Sequence, residues 1–159
     1  MYRRFSSHEQ VVPLLLRVGI GLVFFVSGLG KLMGGIAGVS MFFGKLGIPL
    51  PGVAAPLITF LEMLGGLAIM LGLFTRPISV LLICDMLVAI LMAKLPMAMT
   101  AKTFSDSFNA IRLELLLALS SAALALGGAG LYSLDAKLFG EQEESADVRG
   151  PVADRPVLR

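Results

Sequence analysis

The sequence predicts an all-α integral membrane protein, a bundle of four apolar helices, and three observations carry that expectation. Of the 159 residues 57% are hydrophobic and only 15% are charged, whereas soluble domains run closer to a quarter charged. The mean hydropathy is +0.89. The apolar residues are also gathered into four long runs, at about 11–32, 54–74, 77–93 and 111–131. Each reaches the length of about 17–25 residues that a helix needs to cross the hydrocarbon. One such run could be a buried core helix, but four in a short chain leave too little polar surface for a soluble protein.

Each element follows from local composition. Met1–Gln10 is a short polar lead carrying Arg3 and Arg4. The first run is longer than the apolar region of a secretory signal, lacks a small-x-small cleavage site and is followed by three more, so it is expected to stay as a span. It stops near Lys31, Gly34 and Gly35. Ile36–Val53 holds no unbroken apolar run long enough to cross; Phe42, Phe43 and Lys45, then Pro49 and Pro51, predict an interfacial half-helix and a proline-fixed turn. The tight corner Thr75-Arg76-Pro77 makes the second and third spans antiparallel neighbours. Lys94 to Asn109 reads as an amphiphilic connection, and Ile111 opens the fourth span. Gly127, Gly128 and Gly130 loosen its end before Tyr132-Ser133-Leu134-Asp135. The organisation is then a membrane domain over 1–140 and a polar, Pro-containing tail over 141–159 that is expected to be disordered.

Four spans put both termini on one side. Arg3, Arg4, Arg76 and Lys137 flank that side and Lys31, Lys45, Lys94 and Lys102 the other, so the positive-inside rule does not decide the orientation. The long tail and the arginine-bearing corner favour cytoplasmic termini.

Several function classes drop out. A net charge of +2 without a basic stripe interleaved with aromatics argues against nucleic acid. The single cysteine, Cys84, excludes an intramolecular disulfide, a CxxC motif and a cysteine zinc site; inside an apolar run it reads as a buried, inert thiol. The lone His8 builds no triad or haem site. Gly28–Gly38 is glycine-rich but follows no strand, so it is not a phosphate cradle.

The informative chemistry is the charge inside the spans: Arg17 in the first, Glu62 in the second, Asp85 in the third, and Glu114 with Arg112 in the fourth. A charge near mid-bilayer costs several kcal/mol unless paired or hydrated, so such groups face the bundle interior. Depth along the helices predicts two polar layers. Arg17 would pair with Asp85, while Glu62 and Glu114 would gather with Lys31, Arg112 or Lys94. At 100° per residue, Arg17, Gly21, Gly28 and Lys31 share a face, as do Glu62 with Gly66, and Glu114 with Ala118, Ser121, Ala125 and Gly128. Small residues beside charges suit close helix packing in lipid. The charges either fix helix register alone or line a polar cavity for a proton-coupled or redox-active ligand. Met92, Met97 and Met99 near the end of the third run offer soft sulfur suited to copper(I), although methionine is also common filler in apolar helices.

These residues carry a resemblance. Arg17, then Gly19-Ile20-Gly21-Leu22-Val23-Phe24-Phe25-Val26-Ser27-Gly28 and Lys31, resembles the opening helix of DoxX-family membrane proteins. Leu61-Glu62-Met63-Leu64-Gly65-Gly66-Leu67 and Leu71-Gly72-Leu73-Phe74-Thr75-Arg76 resemble the family's second helix, and Glu114 with Tyr132-Ser133-Leu134-Asp135 its fourth. The likeness spans roughly residues 11–138. It implies a four-helix protein of the bacterial inner membrane linked to redox physiology, with relatives that include the small subunit of thiosulfate:quinone oxidoreductase. It supplies no catalytic residues, and Asp85 stands where the family is expected to be apolar.

The function expected on these grounds is an accessory or small subunit of a quinone-linked or oxidative-stress system. It would hold a quinone or similar apolar ligand beside Glu62, Glu114, Lys31 and Arg112, with no covalently bound cofactor. The alternatives are a non-catalytic scaffold or a small transporter or metal-handling protein. The lipid bilayer is the first partner; other redox subunits or a homo-oligomer are the next.

Overall fold

The structure is a computed structural model that describes residues 8–130 and 133–138. The tail expected to be disordered, from Glu141 onward, lies outside the described residues, as does Tyr132. Helix α1 runs over His8–Gly34, α2 over Ile36–Lys45, α3 over Pro51–Leu71 and α4 over Thr75–Ala89; a π-helical turn over Ile90–Lys94 leads into α5, Leu95–Met99, and α6 covers Phe104–Gly127. No strand occurs among the described residues. Among the described residues four segments are long and apolar enough to cross a membrane: Val11–Gly34, Pro51–Leu71, Thr75–Met99 and Phe104–Gly127. Leucines such as Leu15, Leu22, Leu64, Leu87, Leu116 and Leu119 are exposed along them, as a lipid-facing surface requires.

The half-helix and its proline turn form as the sequence predicts, with Pro51 in the first turn of α3. Two boundaries differ. The third span does not stop at 93, because the helix widens into the π turn and continues to Met99. Pro96 has no N–H and its ring would press on the carbonyl of Met92, so the wider turn just before it relieves the conflict. The fourth span begins at Phe104 rather than Ile111, two turns earlier. Its start is a threonine N-cap: the Thr103 hydroxyl accepts from the Asp106 N–H at 3.2 Å and donates to Asp106 Oδ2 at 2.7 Å. The connection predicted over Lys94–Asn109 therefore shrinks to a few residues.

The antiparallel pair α1 and α3 meets backbone to backbone. A methyl group on Gly66 would lie 2.5 Å from Phe25 N and 2.7 Å from Gly21 O. One on Gly28 would overlap the backbone of Met63. These glycines bring the two helices close enough for dispersion contact where hydrophobic association gives no drive in lipid. The core between all four spans is Ile20, Phe24, Ile69, Leu82, Met86, Leu117, Ala118 and Leu124.

At the end of the bundle nearer the termini, the chain after α6 folds back over the α3–α4 corner. The Asp135 carboxylate accepts from Phe74 N–H at 2.7 Å and Thr75 N–H at 2.9 Å, and Asp135 N–H donates to Gly72 O at 2.9 Å. It thus satisfies two open donors at the N-terminus of α4 and meets the positive end of the helix dipole. The corner needs this support, because Phe74 takes the left-handed conformation, φ 48°, which costs a non-glycine residue of order 1–3 kcal/mol.

Candidate functional site

The half of the bundle remote from the termini holds a half-open cavity of about 1250 Å³. Its walls come from α1, α3, α4, the π turn and α6, and α2 lies along one side with Phe42 and Phe43. Most of the lining is aliphatic or aromatic. The polar exceptions are Ser27, Lys31, Glu62, Asp85, Lys94 and Glu114, with Cys84 beside them.

Helix phase and depth together place these groups. Lys31 lies one turn beyond Gly28 on the α1 face that meets α3, and Glu62 lies one turn before Gly66 on the facing side. Lys31 Nζ forms an ion pair with Glu62 Oε2, and Ser27 Oγ donates to the same oxygen at 3.3 Å. The Glu62 side chain is 3% exposed while that of Lys31 is 29% exposed, so the carboxylate is the buried member and the ammonium borders the cavity. On the other side of the cavity, Lys94 Nζ meets Glu114 Oε1 at 3.0 Å. Lys94 sits in the π turn, which sets its direction towards α6. π-bulges recur at functional sites.

The expected Arg17–Asp85 pair does not form. Asp85 meets the Glu62 side chain and stands in the field of Lys31. Arg17 is buried at the opposite end, its guanidinium packed on Gly72 and in the field of Asp135. Gly72, which caps the end of α3, lies ten residues beyond Glu62, or about 15 Å of helix. α4 starts at Thr75 rather than at Pro77, so Asp85 reaches deeper than the apolar run suggested. The layer near the termini is therefore Arg17 with Asp135. The other layer holds Lys31, Glu62 and Asp85 together with Lys94 and Glu114.

Three further expectations are revised. Arg112 is exposed on α6 and does not line the cavity. Cys84 is exposed and borders the cavity, not a buried thiol, because its phase on α4 turns it away from the packed core. Met92 lines the cavity, but Met97 and Met99, 60% and 78% exposed on α5, lie outside it. Among the described residues no group of three His, Cys, Asp or Glu side chains could hold a metal ion.

Residues 12–95 match the DoxX family model. The candidate oxidoreductase CatD of Bacillus subtilis (strain 168) is 35% identical over 130 residues, 82% of this chain and 89% of CatD. The inner membrane protein YqjF of Escherichia coli (strain K12) is 31% identical, over 80% of this chain and 92% of its own length. The inner membrane protein YphA of the same organism is 35% identical, over 52% of this chain and 58% of its own. No solved structure matches the chain. With four apolar spans and inner-membrane relatives, this is a multi-pass bacterial inner-membrane protein, and it belongs to the DoxX family.

Proposed function

We propose that the chain is a small quinone-binding subunit of a membrane redox or oxidative-stress system. The observation that supports this reading best is the apolar cavity with the half-buried Glu62–Lys31 ion pair in its wall. An apolar pocket with a few convergent polar groups suits a ligand whose ring and tail are greasy and whose oxygens need orientation. Lys31 keeps donors free for a carbonyl oxygen. A carboxyl group in the cavity wall, once protonated, supplies a proton to a developing phenolate oxygen. That CatD is named as a candidate oxidoreductase agrees with a redox role.

The test uses the purified full-length protein in lipid nanodiscs and decylubiquinone as the probe, followed by isothermal titration calorimetry. Glu62→Gln keeps the shape of the side chain but removes the charge that holds Lys31 in place. It is expected to weaken binding about tenfold or more, as loss of a buried charged hydrogen-bond partner does. Wild-type protein that takes no probe, or a variant that binds it equally well, would contradict the proposal. A scaffold whose charges only fix helix register would give the first of these results.

A further inference from the structure

Asp85 is the cavity group that the ion pairs leave unused. It is 8% exposed, it lines the cavity, and its Oδ2 accepts no hydrogen bond from any described group. A buried acceptor in that state costs about 1–3 kcal/mol. The titratable groups around it are Glu62 on α3, whose side chain it meets, and Lys31 on α1. Glu114 on α6 and Lys94 in the π turn face the same cavity. Lys31 balances one carboxylate only. Two buried carboxyl groups in contact beside one ammonium are stable together when a single proton lies between them. The site then offers a ligand two unlike partners: an ammonium that can only donate, and a carboxyl oxygen open to accept.

A quinone carbonyl can satisfy Lys31 but brings a second acceptor towards Asp85. A phenolic hydroxyl does both jobs, because its O–H donates and its lone pairs accept. Resting on the quinone reading above, we infer that Asp85 contacts the ligand and sets its specificity, so that the cavity prefers the hydroxyl-bearing quinol to the quinone.

Two measurements test this. In anaerobic calorimetry on the nanodisc protein with decylubiquinol and decylubiquinone as probes, wild type is expected to bind the quinol about tenfold more tightly, the effect of one satisfied buried hydrogen bond. Asp85→Leu removes the acceptor yet leaves the Lys31–Glu62 pair neutral; it is expected to erase the preference by weakening the quinol alone. Equal affinities in the wild type, or a preference retained in Asp85→Leu, would overturn the inference while the quinone reading stands. Binding of neither probe by the wild type would overturn both. Should the variant fail to fold, infrared difference spectroscopy of the wild type decides: a protonated-carboxyl band that shifts with the quinol but not with the quinone is expected. A quinol that binds without moving any such band would refute it.

Discussion

Gly66→Val is expected to disrupt the bundle severely. Its first added carbon would sit 2.5 Å from Phe25 N and 2.7 Å from Gly21 O, and both are backbone atoms that cannot rotate aside. α1 and α3 would have to separate along their whole seam, which also parts Lys31 from Glu62. Overpacking of this kind costs about 1–3 kcal/mol in ordinary cores; with backbone as the obstacle, the upper end of that range or more is expected. Thermal unfolding of the detergent-solubilised variant, followed by circular dichroism, checks it. A midpoint equal to that of the wild type would mean that the helices do not meet at Gly66.

Asp135→Ala should show the second large effect, although the residue lies beyond the last span. Its carboxylate is the partner of both Phe74 N–H and Thr75 N–H, and it stands in the field of the buried Arg17. Its loss takes the carboxylate acceptor from two N–H groups at the start of α4, removes a charge from the helix N-terminus and weakens the support of the left-handed backbone at Phe74. Charged hydrogen bonds are worth about 1.5–3 kcal/mol, so a loss of about 2 kcal/mol is expected. Asp135→Asn, which keeps one acceptor, should fall between. Protease accessibility of the α3–α4 corner provides a second readout, with faster cleavage in Asp135→Ala.

The spans and the charges within them are legible in the sequence because both are properties of single residues in a run. The pairing of those charges is not, because it depends on where each helix begins. A third span that starts at Pro77 places Asp85 level with Arg17; the actual start at Thr75 and the antiparallel seam with α3 carry it down to Glu62 instead. The counterpart of Arg17 is Asp135, which the chain after α6 contributes, and no matching of one span against another contains that residue. The early start of α6 is written in Thr103 and Asp106, but an N-cap among polar residues gives no hydropathy signal. The π turn leaves even less trace. It records a conflict between Pro96 and the carbonyl one turn before, and its consequence, Lys94 turned to Glu114, exists only in three dimensions.

The proposed ligand site lies in the half of the bundle remote from the termini, walled by the Lys31–Glu62 and Lys94–Glu114 pairs. The most direct measurement is solvent extraction of the protein purified from its native membrane, followed by mass spectrometry of the lipid fraction. Quinone or quinol at a near-stoichiometric ratio to the wild-type chain, strongly depleted in Glu62→Gln, is the predicted result. Quinone no more abundant than in the surrounding membrane lipid, and unchanged by the substitution, would contradict it.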